Sequence, residues 1–373
     1  MKKINNVIKP IFFDLTTTAQ KYQFFSLLAA NPSIQRLDEI DGQLAELIKL
    51  RNPKKKLTST EMVQEIEAHL GKTTKENYGV WVYYPWLNKI IHLLNEKEFV
   101  EVRTNRNQYK ITPKEEAILA TKKIGIIGLS VGKAIAITIA LERICGELVL
   151  ADFDVIELSN LNRIQTGVKN LGVKKTTVVA REIAEIDPYL KVSCYQEGFT
   201  EENATDFFTK NGKIDICIEV CDGLPTKIVA RQKAKEFGIP VVMETNDRGM
   251  VDIERFDLEP ERPIFHGLTD HLAISNIKQV QTNEEKLSFI NAIVDFSNSS
   301  VRLKESLTEI GKSILTWPQL ASDVALGGAV LTHVCRRILL NDSILSGRYF
   351  IDLYELFKKD AINHHQQTTL DAK

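Results

Sequence analysis

The stretch IGIIGLSVGKAIA, Ile124 to Ala136, sets three glycines and a serine between two apolar runs. Two chemistries fit those residue types. Gly128-Leu-Ser130-Val-Gly132 matches G-x-S-x-G, the sharp turn that exposes a nucleophilic serine in hydrolases. It is also a shortened G-x-G-x-x-G, the turn that lets backbone amides approach a phosphate. A hydrolase needs a histidine and an acid to activate Ser130, and Asp247 and His266 follow in the required order. Such a turn normally comes deep in its sheet, after an oxyanion segment of HGGG type, and nothing of that kind precedes Gly128 here. A phosphate cradle needs a strand before the turn, a helix after it, and an acid at the end of the next strand to meet ribose hydroxyls. Ile124–Ile127, the helix from Val131 and Asp152 at the end of LVLAD supply these, with Asp152 about 24 residues after Gly128. The cradle has the stronger support, and it leaves Ser130 as a small residue able to give one hydrogen bond to phosphate.

The residues that follow bear on the type of reaction. Asp152-Phe-Asp154-Val-Ile-Glu-Leu-Ser159-Asn160-Leu-Asn162-Arg163 comes directly after the strand, and Gly172-Val-Lys174-Lys175 a little later. Hydride transfer has no use for asparagine, arginine and lysine concentrated at this point. Neutralising a triphosphate and a departing pyrophosphate does. Arginine brings a fixed fork of donors, and lysine a mobile point charge.

These residues resemble the ubiquitin-activating-type adenylyltransferases, the family of the ThiF and MoeB proteins. The likeness covers about Arg103 to Phe256 and, more loosely, the helix from Ala321. Its most specific part is D-x-D-x-x-x-x-S-N-L-x-R, here Asp152 to Arg163. The resemblance implies an ATP site with Gly128, Ser130, Gly132, Asp152 and Asp154 at the nucleotide. It implies Asn160 and Arg163 at the phosphates and Lys175 on the α-phosphate side. Asp222, in IEVCDG, matches the aspartate that organises Mg²⁺ in that family. Arg106, in RTNRNQYKI, resembles the arginine that reaches the partner subunit's ATP, with Arg103 as its alternative. Taken singly, Asp154 also fits a turn cap, Asn160 and Arg163 fit turn or surface positions, and one of Lys174 and Lys175 fits a solvated helix face. Asp222 equally fits a strand-end turn, and Arg106 an exposed charge.

The implied reaction is adenylation of a carboxylate by ATP, in a homodimer with Arg106 acting in trans. The family pattern breaks in two places. The glycine turn is shortened, and no cysteine lies between residues 244 and 334, where thioester-forming members carry one. Two C-x-x-C zinc pairs, frequent in the family, are missing as well, so no zinc is expected. The resemblance then points to an adenylate passed on without a thioester, as in members that act on the C-terminus of a peptide or small carrier protein. Asn246, Asp247 and Arg248, within Glu244–Arg248, fall where the family's site opens to substrate. Some similar chains are joined to a nitroreductase-like flavin domain, so a separate redox partner is part of the expectation. A nucleotide- or NAD-binding module without chemistry is the alternative.

The bulk properties suit this reading. At 373 residues with a formal charge of −1, the chain has room for two domains and no net pull toward nucleic acid or anionic membranes. Its five scattered cysteines read as free thiols of a reducing, cytoplasmic setting. Residues 1 to about 100 are expected to form a small, mainly helical accessory domain. Lys49–Lys56 reads as a basic connector, Thr60 as the cap of a helix to Leu70, Pro85–Leu94 as a helix, and Phe99–Ile111 as a β-hairpin. From Lys122 strands and helices alternate: strands at Leu148–Ala151, Val192–Tyr195, Ile214–Val220 and Val241–Glu244, and helices at Lys174–Glu185 and Pro225–Phe237. That rhythm predicts an α/β fold, a Rossmann-like, doubly wound and mostly parallel sheet spanning 101–373. Val251–Phe256 would add an antiparallel strand, 262–315 a polar insertion, and Ala321–Leu340 a long helix rich in small residues around Gly327-Gly328.

Overall fold

Five consecutive β-formers, Val80 to Tyr84 (VWVYY), anchor the first part of the chain in the computed structural model, in which residues 7–272 and 283–357 are described. Its elements are β1 (Ile11–Phe13), α1 (Thr18–Ala30), β2 (Gln35–Asp38), α2 (Ile40–Arg51), α3 (Ser59–Leu70), β3 (Val80–Tyr84), β4 (Lys89–Leu93), α4 (Glu96–Thr104) and α5 (Pro113–Leu119). The sheet runs in the order β1-β3-β4-β2, with β2 parallel to β4 and the other pairs antiparallel. Phe13, Phe24, Trp81 and Ile90 form its core under α1. Ile40, Leu44, Ile48, Ile66 and Leu94 form a second cluster among the helices. One compact unit consists of the chain up to Ala117 together with Ala180–Lys191.

Helices are present here as expected, but three local readings change. Pro85–Leu94 is a turn followed by β4. Trp86, Ile90, Ile91 and Leu94 fit a helical spacing, but Ile90, His92 and Leu94 also alternate as one face of a strand, and pairing with β3 decides the matter. Pro85 starts the turn, Leu87 N–H donates to the Tyr84 carbonyl at 3.1 Å, and Asn88 takes a left-handed φ of 49° to complete the hairpin. Phe99–Ile111 begins inside α4 rather than forming a hairpin. Asn95 caps that helix by accepting from the Glu98 N–H at 3.2 Å, and Phe99 and Val102 turn one face inward. Finally, α3 is capped by Thr58, two residues before the expected cap, in a reciprocal capping box with Glu61.

The second unit contains Ile118–Val179 and the chain from Val192 onward. Its elements are β5 (Lys123–Ile127), α6 (Gly132–Glu142), β6 (Glu147–Ala151), α7 (Lys175–Ile186, continuing into the first unit), β7 (Lys191–Tyr195), α8 (Ala204–Thr209), β8 (Ile216–Glu219), α9 (Leu224–Phe237), β9 (Val241–Thr245) and β10 (Met250–Glu254). Then follow α10 (Asn283–Val294), α11 (Val301–Glu309), α12 (Ala321–Leu339), β11 (Gly347–Phe350) and α13 (Leu353–Leu356). The seven strands lie in the order β11-β10-β9-β8-β5-β6-β7. β5 is parallel to β6 and β8, β8 is parallel to β9, and β10 turns back antiparallel. This is the doubly wound, mostly parallel sheet that the alternating pattern predicts. Residues 262–315 contain α10 and α11, while 273–282 lie outside the described residues. Among the described residues no helix is long and apolar enough to cross a membrane.

Candidate functional site

β5 lies at the middle of the parallel strands, with β6 on one side and β8 on the other. The chain thus winds away from β5 in both directions, which opens a crevice at the carboxyl ends of the strands. Gly128 makes the first turn of that crevice at φ +92°. A Cβ there would stand 2.9 Å from the backbone nitrogen and Cα of Cys221, so only glycine permits the close approach. Gly132 opens α6, buried beside Ile126 and Val220. The first-turn amides of such a helix have no intrahelical acceptor, and the helix dipole favours negative charge there.

Asp152 clasps the turn. Its Oδ2 accepts from the Leu129 N–H at 2.6 Å and its Oδ1 from the Asp154 N–H at 2.8 Å. Burial raises its pKa above the usual carboxylate value, opposed by Lys175 and those two amides. Lys175 is buried, with Nζ 2.7 Å from Asp154 Oδ2, and its backbone N–H donates to the Asp154 carbonyl. Lys174 is spent on the carbonyls of Phe153 and Gln196. Asn160 is buried and accepts from the Glu157 N–H at 3.1 Å, which fixes the turn carrying Arg163. Arg163 Nε donates to Ser130 Oγ at 3.1 Å, and Nη1 donates to Asn162 Oδ1 at 3.0 Å. Burial lowers the guanidinium pKa and the Asp222 carboxylate offsets part of that effect, so Arg163 stays charged.

The glycine turn, Ser130, Asp152, Asp154, Asn160, Arg163, Lys175 and Asp222 are therefore brought to one crevice. A hydrolase arrangement is not assembled. Ser130 Oγ is held by Arg163, His266 is engaged by Asp252 and Arg262, and Asp247 accepts from the N–H and hydroxyl of Ser300.

Beyond Asp222, at the ends of β8 and β9, lies a cavity of about 480 Å³, lined among others by Val131, Asp222, Glu244, Asn246, Phe296 and Trp317. Of the three residues expected at the substrate opening, Asn246 faces this space, and its buried Oδ1 has no hydrogen-bond partner. Asp247 lines it too, but its carboxylate anchors Ser300 at the start of α11. Arg248 is tied to Asp352 at 2.7 Å and to the Asn298 carbonyl at 2.5 Å. Glu244 is the residue that the sequence reading passed over. It is buried with Oε2 unpartnered, and the signal for it was the glycine pair inside α12. Arg106 is exposed on a short 3₁₀ turn of the first unit, while Arg103 is committed to the buried Asp187 at 2.9 Å.

Asp222 is exposed, which leaves its oxygens open to a ligand. Among the described residues no three His, Cys, Asp or Glu side chains group as a metal cage. A lone carboxylate fits Mg²⁺, which keeps waters and borrows phosphate oxygens, better than it fits zinc. Burial, then Glu219, raises the Cys221 thiol pKa well above the ordinary value, which favours the protonated thiol over the thiolate.

A doubly wound sheet with a glycine turn at its switch point, an acid closing the next strand and two cations beside it is the arrangement with which α/β sheets bind nucleotides. The ThiF family pattern matches residues 104–297, and the chain belongs to the ThiF family. It is 39% identical over 326 residues to an uncharacterized protein of Mycobacterium tuberculosis, MT1398, covering 87% of this chain and 43% of that protein. The chain thus spans less than half the length of that relative. It is 32% identical over 99 residues to the adenylyltransferase and sulfurtransferase MOCS3 of Dictyostelium discoideum, covering 26% of this chain and 22% of that one. Among solved structures, E. coli tRNA N6-threonylcarbamoyladenosine dehydratase in complex with AMP aligns with a TM-score of 0.47 at 17% identity, over 65% of this chain and 95% of that one.

Proposed function

We propose that this protein is an ATP-dependent adenylyltransferase that converts a substrate carboxylate into an acyl adenylate and releases pyrophosphate. The observation that carries the reading is Arg163, hydrogen-bonded to Ser130 beside the N-terminal end of α6 and within electrostatic reach of the exposed Asp222 carboxylate. A carboxylate is already ionised at neutral pH, so the reaction needs no protein base. Its oxygen attacks the α-phosphorus of ATP, the bond to the bridging oxygen breaks, and the electron pair leaves with pyrophosphate. The protein supplies orientation and charge stabilisation. In this reading Asp152 uses its remaining lone pairs on the ribose hydroxyls. Asn160 and Arg163 serve the phosphates, and Lys175 turns from Asp154 to the α-phosphate. Asp222 would hold Mg²⁺, which supplies positive charge against the leaving pyrophosphate.

The same proposal takes the C-terminus of a peptide or small carrier protein as substrate, in a cytoplasmic homodimer where Arg106 completes the partner's site. Residues 1–100 serve as the accessory domain, and a separate redox enzyme acts on the product. Exchange of labelled pyrophosphate into ATP, driven by peptides with a free C-terminal carboxylate, tests the central step. Arg163→Ala and Asp222→Ala are each expected to lower the exchange rate by about 10²–10³-fold. ATP binding with no exchange across a broad carboxylate panel would leave a nucleotide-binding platform without chemistry.

A further inference from the structure

The end of β9 carries a carboxylate that nothing holds. Glu244 is 5% exposed, its Oε2 has no hydrogen-bond partner, and it lines the cavity beyond Asp222. Two residues on, the Asn246 amide leaves a buried oxygen unpartnered in the same lining, and an amide can turn either end to a ligand. The recess is built. A Cβ at Gly327 of α12 would lie 2.5 Å from Glu244 Cδ and 2.7 Å from each of its oxygens, so the helix gives up a side chain to admit this carboxyl group. Glycine is a poor residue for a helix interior, and its use there needs a reason.

The surrounding charge is acidic. Asp323 of α12 acts on Glu244 through space, and Asp222 and Asp247 contribute to the lining. Lys227, the cation of the lining, is tied to Glu219 at 3.0 and 3.1 Å. The remaining walls are largely apolar, with Phe296, Leu307 and Trp317 among them. An acceptor recess at the end of an apolar sleeve, with carboxylates around it, matches one kind of group.

We propose that the cavity receives a side chain with an aliphatic stem and a cationic nitrogen at its tip, of lysine or arginine type, and that Glu244 binds that tip. The proposal deepens the adenylation reading and rests on it for one point, that this side chain belongs to the residue whose carboxylate reacts beside Asp222. The stem packs on the apolar wall, and the N–H donors satisfy Glu244 Oε2 and the Asn246 amide oxygen. With no cation present, burial and then Asp323 push the Glu244 carboxyl up to about 8, so it carries a proton at neutral pH. An arriving cation displaces that proton.

Calorimetric titration of the full chain at pH 7 with N-acetyl-Gly-Gly-Lys, -Arg, -Leu and -Glu tests this without ATP. The lysine- or arginine-ended peptide is expected to bind at least about 10-fold more tightly than the leucine-ended one. Its binding should release about one proton, read from titrations in buffers of different ionisation enthalpy. Glu244→Gln keeps the size of the side chain and should erase both effects. Circular dichroism and the melting temperature of that variant separate a lost site from a lost fold, and the proton count in the unaltered chain needs no variant. Equal affinity for all four peptides, or a cation preference that survives Glu244→Gln, overturns the proposal. Failure of the adenylation reading looks different: selective binding of the cationic peptide that drives no pyrophosphate exchange.

Discussion

Glu219 on β8 and Glu244 on β9 sit on adjacent strands, both closed off from solvent, in opposite electrostatic settings. Glu219 accepts from Lys227 at 3.0 Å, from Arg231 at 2.7 Å and from the Cys221 N–H at 2.9 Å. Burial alone would raise its pKa, but Lys227 and Arg231 outweigh burial and hold it below the ordinary glutamate value. Arg231 extends the network to Glu254 at 2.5 Å and lies 4.0 Å from the centre of the Phe265 ring. Phe265, strained at φ +50°, donates its N–H to the second oxygen of Glu254 at 2.6 Å. Glu244 has no such company. One carboxylate is a closed structural network, and the other is an open site whose partner must come from outside.

The strongest way to break this contrast is to open the closed network. Arg231→Met leaves Glu219 and Glu254 buried, with Lys227 as the cation still bonded to Glu219. It is expected to destabilise the second unit by about 3–5 kcal/mol, read as a shift of the urea midpoint. Glu244→Gln removes a carboxyl that has no partner to lose and whose burial suppresses an ionisation available to the unfolded chain, and should raise stability near pH 7 by up to a few kcal/mol. Similar losses for both variants would mean that Glu244 is held by contacts equivalent to those of Glu219.

Acid and base separate the two glutamates by sign. Glu244, raised from 4.5 to about 8, stays neutral in the folded chain while the unfolded chain ionises. Its favourable contribution is complete below pH 4.5, declines as pH rises, and is gone above pH 8. At about 1.4 kcal/mol per pH unit, the full swing is a few kcal/mol. Glu219 runs the other way: its contribution is present above the ordinary glutamate pKa and is lost as pH falls through its depressed folded value. Urea midpoints from pH 5 to 8.5 should therefore show a downward slope that Glu244→Gln flattens. An unchanged slope in that variant would remove Glu244 as its source.

The two halves of the site differed in how far they could be read from sequence. The cradle is local: strand, glycine turn, helix, acid and cation string follow one another within about fifty residues, and the structure assembles them in that order. What sequence reasoning missed depends on distant partners. Asp247 and Arg248 look like free charges at the mouth of the site until Ser300 and Asp352 fold back onto them. Glu244 looks like the end of an ordinary strand until Gly327 is laid over it. In the N-terminal unit the errors arose from short apolar runs, such as Pro85–Leu94, whose period is ambiguous before a strand partner is known. The local signal for α4 is Asn95, whose side-chain oxygen caps the first turn.

The finest test acts on the helix that makes the recess. In Gly327→Ala the new methyl group meets the tip of a flexible side chain, not fixed backbone, so the Glu244 carboxyl can turn toward the cavity. Alanine regains about 1 kcal/mol of helix propensity against that displacement, and the net change in stability should lie within about 1 kcal/mol. The informative quantity is the slope against pH. A carboxyl moved into the more open cavity loses part of its desolvation, so its pKa should fall and the slope should shrink while the fold persists. If Gly327→Ala instead costs several kcal/mol and keeps the slope, the glycine is there for packing alone. The second glutamate would then be only an imperfectly buried one, with no recess shaped for a ligand.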